Sequence, residues 1–515
     1  MSNSFLLIRS LIIYAVCVLV AVVLGCILAN WDDKMNFALG IIVISLFLVP
    51  LLLRWHHLWL IAFWNTSAVL FFFQQARPSV ALGLTFASLG LSILQHALNR
   101  KQEFLEVRSL TLPLLFLVAV VLVTARLTGG IGLNVIGSAN VGGRKYVYLL
   151  GGIAGYFALS AQRIPPDKAI AYVGIFFFSG VTNVISDLAH FIPQSAFYYI
   201  LLVFPPTSWW EGGSTDFVAG APGISRLGGV ANGAIALLFG LMAIYGLKGI
   251  FDPRKFWRTL LFGVGLVGSM FGGYRSLLVL FLLTFAGVFC LEGLPRSRYL
   301  PGVVCGGLLL VAVSLPFTDK LPLAIQRSLS VVPYINLSSY ARDEARGSTD
   351  WRLRMWSTVL PQVPQYLLLG KGLSINAEDL SSLSSVRSLT GDADLSILAG
   401  DYHSGPLSLI IPFGLPGVFA FLWFLGAGTK ALWRNYRYGD PAFANINTFL
   451  LAAFLAKTVY FTFVFGAFVG DVFQFAGLVG LSVAVNGGIR KPVLVPRKSA
   501  VPEFRFGHTP ARISA

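Results

Sequence analysis

Apolar runs of roughly 16 to 22 residues recur through most of the sequence, and each is about long enough to carry an α-helix across ~30 Å of hydrocarbon. The chain has 515 residues, of which 56% are hydrophobic and only 12% are charged. One water-soluble globule cannot bury that much apolar surface. We therefore predict an all-α polytopic membrane protein with about fourteen transmembrane helices. The predicted spans lie near residues 10–29, 36–53, 57–73, 79–96, 109–125, 146–161, 168–185, 229–249, 257–272, 276–294, 299–315, 405–425, 447–465 and 468–486.

The distribution of lysine and arginine predicts how these helices are oriented. Positive residues are retained on the cytoplasmic side during insertion, so the ends that collect Arg54, Arg254 and the tail after Asn486 are predicted to be cytoplasmic. Roughly 22 positive residues then lie inside, against about 7 in the short loops outside. This predicts a multi-pass inner-membrane protein with both termini in the cytoplasm. The net charge of +16 lies at helix ends and not on one basic face, so no nucleic-acid partner is expected.

Two polar segments interrupt the helices on the predicted external side, where loops on a rigid scaffold commonly carry binding residues. The second segment is the longest polar stretch and carries both signs of charge, so we predict a folded periplasmic cap and not a lipid-binding arm. The predicted parts are N-terminal helices at 1–185, an external loop at 186–228, helices at 229–315 with Arg275 at their external face, a large periplasmic loop at 316–404, C-terminal helices at 405–486 and a basic cytoplasmic tail at 487–515.

Three arginines are predicted to lie at or near the external membrane face: Arg226, Arg275 and Arg352. Arg275 interrupts two apolar runs, where a guanidinium is costly unless it meets an anion. Snorkelling to lipid headgroups is the alternative interpretation. Arg352 is predicted to open an amphipathic helix that leads to Gln362, although arginine and tryptophan together also form simple interfacial anchors.

One histidine is predicted at the same water boundary, immediately before the helix that starts at Gly405. His403 lies in the sequence Asp401-Tyr402-His403-Ser404, where an imidazole is accessible to substrate and to water. A lone histidine at a helix start is more often an interfacial polar residue. Its position alone therefore leaves a catalytic role open.

The spacing of residues in the second half of the chain is similar to that of a known family. His403-Ser404 is followed after nine residues by Gly414-Leu415-Pro416-Gly417, which resembles the His-[Asn/Ser/Gln]-x9-Gly-x-x-[Gly/Thr/Tyr] signature of the bacterial O-antigen ligase family. The resemblance extends over about residues 226–425. The other matching features, in chain order, are Arg226-x-x-Gly229 with Asn232, Arg275 between two helices, Arg352-x-x-Met355-Trp356 and Gly370-Lys371-Gly372.

This resemblance implies a GT-C-like fold and glycan transfer from an undecaprenyl-diphosphate carrier to an acceptor sugar hydroxyl, at the periplasmic face of the bacterial inner membrane. It implies no cofactor, nucleotide or metal. Guanidinium groups stabilise the negative charge that grows on a diphosphate leaving group, and Arg226, Arg275 and Arg352 are the candidates. His403 is the candidate general base, because imidazole ordinarily titrates near neutral pH. Asp401 is a candidate for orienting that imidazole.

The family includes ligases, which move a finished chain onto lipid A core, and polymerases, which extend a growing polysaccharide. We prefer the ligase interpretation, and an O-antigen or exopolysaccharide polymerase is the alternative. A third hypothesis is a polysaccharide flippase or transporter, which would place charged residues around a midplane cavity. Lys457 and Asp471 lie within apolar runs, and they are either functional residues or a pair that fixes helix packing.

Two other patterns are assigned no catalytic role. Asp392-Ala393-Asp394 is similar to the Asp-x-Asp of nucleotide-sugar transferases, but it lies in the predicted external loop, where nucleotide sugars are absent. We interpret it as a solvated loop. The four cysteines have neither the spacing nor the neighbouring histidine of a zinc site, and they do not form a disulfide framework.

Overall fold

The computed structural model describes most of the chain between the first helices and the C-terminal tail. The predicted spans near 10–29 and 36–53 and most of the predicted tail lie outside the described residues. All regular elements of the described part are helices, apart from one isolated bridge between Val69 and Ser79. The described residues are 53–72, 77–98, 107–131, 142–192, 194–206, 226–332, 337–375 and 400–492, with the single positions 14, 18, 21, 39, 40, 105, 396 and 397.

Within these residues, seven helical stretches are long and apolar enough to cross a membrane, and two shorter apolar helices accompany them. The all-helical polytopic architecture is therefore confirmed, while the total of about fourteen spans and the GT-C-like label stay predictions. The helices are α1 (53–63), α2 (Val80–Leu98), α3 (Arg108–Leu127), α4 (Gly143–Ser160), α5 (Ala169–Phe178), α6 (Gln194–Val203), α7 (Gly228–Ile250), α8 (Phe256–Met270), α9 (Arg275–Leu291), α10 (Tyr299–Ser314), α11 (Leu323–Leu329), α12 (Ser339–Val359), α13 (Val363–Tyr366), α14 (Gly405–Tyr438), α15 (Ala444–Phe463) and α16 (Phe468–Asn486).

The helices α15 and α16 form the centre of the bundle. The helix α16 packs against α4, and α15 packs against α7, α9 and α14. Phenylalanines fill the space between them, including Phe449, Phe454, Phe468 and Phe475, none of which is accessible to solvent. Close approach also needs small residues: a Cβ on Gly152 of α4 would lie 3.0 Å from the backbone nitrogen of Phe473. Since lipid is as apolar as these side chains, tight packing stabilises the bundle more than the hydrophobic effect does.

Two connections at one end of the bundle use the same turn chemistry. Asp252 accepts a hydrogen bond from the backbone N–H of Arg254 at 3.0 Å before α8, and Asp440 accepts one from Ala442 at 2.9 Å before α15. A proline follows each aspartate and presets the backbone for the first turn. The Asp-Pro pairs thus start the helices that return across the bundle.

The predicted span near 57–73 is wrong, because helix α1 ends at residue 63. The helix is followed by a turn with polar side chains, in which the Asn65 amide donates a hydrogen bond to the carbonyl of Phe176 at 2.7 Å. The chain then runs in an extended conformation and exchanges backbone hydrogen bonds of 2.8 Å with residues 78 and 80. Hydropathy does not distinguish this apolar extended segment from a helix.

The start predicted for the helix at Arg352 is also wrong. Helix α12 begins at Ser339, after Ser338 accepts a hydrogen bond from the N–H of Ala341 at 3.3 Å, and a short 3-10 turn at Leu360–Gln362 follows it. The residues Met355 and Val359 anchor it on Tyr402 and Leu407 at the start of α14. The described part of the large loop is therefore folded against the end of the bundle and is called the cap below.

Lys457 and Asp471 form a buried ion pair, with Nζ and Oδ1 2.6 Å apart and each side chain 8% exposed. Asp471 Oδ2 also accepts the backbone N–H of Ala467 at 2.8 Å. The pair joins α15 to α16, which agrees with the packing interpretation. Lys457 also contacts a cavity described below.

We expect Asp471→Asn to lower the free energy of unfolding by about 3–5 kcal/mol, because it leaves the Lys457 ammonium buried without a counter-charge. Thermal unfolding of purified protein in lipid nanodiscs measures the change. Asp440→Asn is the matched control, since Asp440 caps a helix and makes no ion pair with the described residues, and it is expected to cost less. The double variant Lys457→Gln/Asp471→Asn should recover part of the loss. An Asp471→Asn protein as stable as the wild type would contradict this.

Candidate active site

The predicted site residues lie at one end of the bundle. Helices α4, α7, α9, α14 and α16 begin at this end and α15 finishes there, while the cap helices α11 to α13 lie beside it. Arg226, Arg275, Arg352 and His403 are thereby brought into one continuous group, although they are far apart in sequence. The contacts that join them involve several residues that the sequence did not identify.

Arg226 lies just before α7 and pairs with Glu344 of the cap helix α12, with Nη2 2.6 Å from Oε1. Arg327 of α11 contacts the same carboxylate oxygen. Neither Glu344 nor Arg327 was predicted, because no motif marks them and an ion pair between residues 118 apart leaves no signal in one sequence. Two guanidinium groups from separate elements therefore share one carboxylate oxygen.

Arg275 is the first residue of α9 and reaches the same cap helix. Its Nη2 donates to the carbonyl of Ala345 at 2.9 Å and to the hydroxyl of Thr349 at 3.2 Å, and the charge of Glu344 acts on it. Gly273, with a φ of +65°, makes the turn that starts α9 beside Arg327. The break predicted from the sequence is thus a turn that aims a guanidinium at the cap.

Arg352 lies two turns further along α12 and sits over the ring of Phe465, with its guanidinium carbon 5.7 Å from the ring centroid. Burial and the neighbouring charge of Arg275 lower the pKa of Arg352, while the Tyr460 side chain opposes this shift. A guanidinium still carries its charge at neutral pH. Two like charges this close favour an anion between or beside them.

His403 has a φ of +49°, a left-handed conformation that is uncommon for residues other than glycine. Trp356 supports the turn by donating its indole N–H to the carbonyl of Tyr402 at 2.8 Å. The imidazole contacts the rings of Trp351 and Phe465, with centroid distances of 5.2 Å and 5.1 Å. Phe465 thus contacts both the imidazole and Arg352, and it joins the base to the cationic group.

Asp401 lies beside His403, with Oδ1 3.2 Å from Nδ1. Burial raises the pKa of Asp401, but hydrogen bonds and charge from His403 together with the charge of Lys145 bring it below its ordinary value. Asp401 is therefore ionised at neutral pH. When Nδ1 carries the proton that Asp401 accepts, Nε2 has the lone pair that a general base needs.

Lys145, near the start of α4, is a site residue that sequence reasoning missed. Its charge acts on Asp401, and a Cβ on Gly400 would lie 3.6 Å from its Nζ. The sequence shows only a basic residue at the start of an apolar run, which is a common feature of membrane helices. Its closeness to Asp401 is a contact between two distant segments of the chain.

Residues 259–422 match the model of the O-antigen ligase family. This part of the chain is an O-antigen ligase domain. The match runs from α8 into α14 and contains Arg275, Arg352, Asp401 and His403, which confirms the family predicted from the sequence. No curated protein sequence matches the chain.

The motif glycines of the ligase domain hold the cap to the bundle. Gly414 interrupts α14 with a φ of +60°, and a Cβ there would lie 2.6 Å from the carbonyl of Leu367. The break exposes carbonyl groups of α14, and the backbone N–H groups of Lys371 and Gly372 donate to the carbonyls of Ile411 and Pro412 at 2.8 Å and 2.9 Å. The motif spacing between His403 and Gly414 therefore sets the distance along the chain between the candidate base and the point on α14 where the cap is attached.

Three other motif residues have different surroundings. Gly417 is buried on α14, where a Cβ would lie 2.3 Å from Cβ of Phe413. Ser404 precedes α14, and its carbonyl accepts the N–H of Ser408 at 2.9 Å. Asn232 of α7 does not contact the arginines, but lines a cavity of about 350 Å³ together with Lys457 and Gln474. Gly417 and Ser404 thus have a structural role in α14, and Asn232 lines a separate cavity. None of the three is part of the candidate catalytic group.

Among the residues that the structure describes, no group of three or more histidine, cysteine, aspartate or glutamate side chains is placed to hold a metal ion. Asp392 and Asp394 of the Asp-x-Asp tripeptide lie outside the described residues. The basic side chains that the described structure places near the candidate base are Lys145 and Arg352.

Proposed function

We propose that the protein transfers a glycan from an undecaprenyl-diphosphate donor to the hydroxyl of an acceptor sugar. Membership of the O-antigen ligase family supports glycosyl transfer of the ligase or polymerase type in a membrane. The observation that carries the finer proposal is the position of Phe465, which contacts both the His403 imidazole and the Arg352 guanidinium. A base and a cationic group therefore lie beside the same aromatic ring.

In the proposed reaction, the acceptor hydroxyl loses its proton to Nε2 of His403 while its oxygen forms a bond to the anomeric carbon of the donor. The bond from that carbon to the diphosphate oxygen breaks, and undecaprenyl diphosphate leaves with the electron pair. Arg275, Arg352 and Arg226 stabilise the charge that grows on the leaving group. Histidine is suited to the base role because it exchanges protons near neutral pH.

Asp401 and Lys145 act on the base and not on the substrate. An ionised Asp401 accepts the proton on Nδ1, fixes the tautomer with Nε2 unprotonated and stabilises the imidazolium that forms. Lys145 lies beside Asp401 and favours its ionised form. Trp351 also packs against the imidazole and helps to hold it in place.

The proposed location of this site is the periplasmic face of a bacterial inner membrane. The support is the sequence, in which positive residues concentrate at the helix ends opposite the site. Lys248, Arg254 and Lys255 lie at that opposite end of α7 and α8. Both termini would then be cytoplasmic, and an acceptor such as lipid A core or a growing polysaccharide would reach His403 from the periplasm.

The ligase and polymerase interpretations share this chemistry and differ in the acceptor. A strain that lacks the protein distinguishes them. If it is a ligase, full-length glycans should accumulate on the lipid carrier while lipid A core stays unmodified. If it is a polymerase, single repeat units should accumulate on the carrier or be transferred singly. Unchanged surface glycans would contradict both interpretations.

We expect purified protein in lipid nanodiscs to transfer glycan at an unchanged rate in excess EDTA. The arginines supply the positive charge that a divalent ion supplies in other transferases that release a diphosphate. Gel analysis of the glycosylated acceptor, with and without EDTA, measures the rate. Loss of activity that magnesium or manganese restores would mean that carboxylates such as Asp392, Asp394 or Asp401 hold an ion.

A further inference from the structure

Glu344 occupies an unusual position, since its Oε1 lies between two guanidinium groups on separate elements. Arg226 approaches it from the start of α7, and Arg327 from α11. Arg275 lies near enough for the Glu344 charge to act on it. Glu344 therefore contacts two cations and influences a third.

Arg327 is held in place by its neighbours and not by Glu344 alone. Its helix α11 packs on the end of α8, where Ser328 donates its hydroxyl to the carbonyl of Met270 at 2.9 Å. Arg327 is only 8% exposed, and its Nε has no hydrogen-bond partner among the described residues. A buried donor without a partner is costly, and a larger anion with several oxygens would satisfy it.

Glu344 and Arg226 can be reached by a ligand. Their side chains are 25% (Arg226) and 20% (Glu344) exposed, so an approaching anion reaches them more easily than it reaches Arg327. A diphosphate oxygen carries the same type of negative charge as the carboxylate oxygen and accepts the same hydrogen bonds. It also has more oxygens than one carboxylate, and can therefore serve Arg226, Arg275 and Arg327 together.

We propose that Arg327 is a further diphosphate-binding residue and that Glu344 is the resident anion of this site, which holds the guanidinium groups in place until the donor diphosphate displaces it. This inference rests on the proposed function, since it assigns the cluster a diphosphate ligand. Glu344 thus competes with the donor for the same cations. Removing its charge should tighten diphosphate binding.

The test uses inorganic pyrophosphate as the probe and isothermal titration calorimetry on the full chain in nanodiscs at low ionic strength. We expect Glu344→Gln to lower the Kd for pyrophosphate at least about tenfold, since a carboxylate in contact with the site no longer repels or competes with the probe. Asp343→Asn is the matched control: it removes the same charge from an exposed neighbouring position on α12. Its Kd should change less than about twofold.

Arg327→Gln should raise the Kd about tenfold, because it removes a guanidinium contact. Equal effects of Glu344→Gln and Asp343→Asn would overturn the proposal and leave only a general charge effect. An unchanged or weaker affinity in Glu344→Gln would make Glu344 a fixed clamp between α12 and α7. If Glu344→Gln does not fold, Glu344→Asp withdraws the carboxylate by one methylene and should tighten binding severalfold, and an unchanged Kd would again overturn the proposal.

Failure of this inference can be separated from failure of the proposed function. If His403 variants retain full glycan transfer while Glu344→Gln binds pyrophosphate more tightly, the catalytic assignment fails and the anion site stands. If His403 variants lose transfer while Glu344→Gln shows the wild-type Kd, the catalytic assignment stands and the resident-anion proposal fails.

Discussion

Replacing His403 by alanine is expected to reduce glycan transfer by about 10²–10⁴-fold, the contribution typical of a general base. The membrane domain should still fold, because His403 lies in a turn before α14 and does not pack in the core. Transfer is measured with purified protein in nanodiscs, a lipid-linked glycan and an acceptor. Thermal unfolding of the same samples reports whether the fold is intact.

The conformation of His403 calls for a second variant. Its φ of +49° is one that asparagine adopts more readily than alanine does, so His403→Asn separates loss of the base from strain in the turn. The amide side chain still donates a hydrogen bond to Asp401, but it cannot accept a proton at neutral pH. We expect His403→Asn to be as inactive as His403→Ala. Wild-type transfer by either variant would rule out the general-base role.

The location of much of this site was predictable because several of its residues lie at the ends of apolar helices. An apolar run ends where the chain meets water, so Arg275 and His403, each at such an end, could be assigned to one face from hydropathy and charge alone. The helix α16, Phe468–Asn486, agrees with the predicted span near 468–486, because the chain there is a single apolar run that ends at Asn486. The family, which is confirmed, was also predictable, because its signature is a short spacing of residues that a single sequence shows.

The residues that were missed are those whose role depends on packing between distant segments. Glu344, Arg327 and Lys145 have no motif, and each is defined by a partner on another helix. Gly414 was recognised as part of a motif, yet its structural function required the position of the Lys371 backbone. The extended segment after α1 was missed because hydropathy records apolarity and not backbone conformation.

The arginine cluster allows a sharper test than removal of charge. Arg275 uses a single nitrogen, Nη2, to donate to Ala345 and Thr349, which leaves the other donors of its planar fork for a diphosphate. Lysine keeps the positive charge, but offers one ammonium that cannot make two parallel hydrogen bonds. A substitution that preserves charge therefore isolates the geometry of the guanidinium group.

We expect Arg275→Lys to lower the rate of glycan transfer about 100-fold, similar to the loss of one preorganised donor to a developing oxyanion. Arg346→Lys is the matched control, because Arg346 is exposed on the same cap helix and makes no contact with the cluster among the described residues; its rate should equal that of the wild type. The loss should fall on kcat more than on KM if the contact strengthens as the anomeric bond breaks. Full activity of Arg275→Lys would reduce Arg275 to an electrostatic anchor, whereas equal losses in both variants would point to a general weakening of the cap.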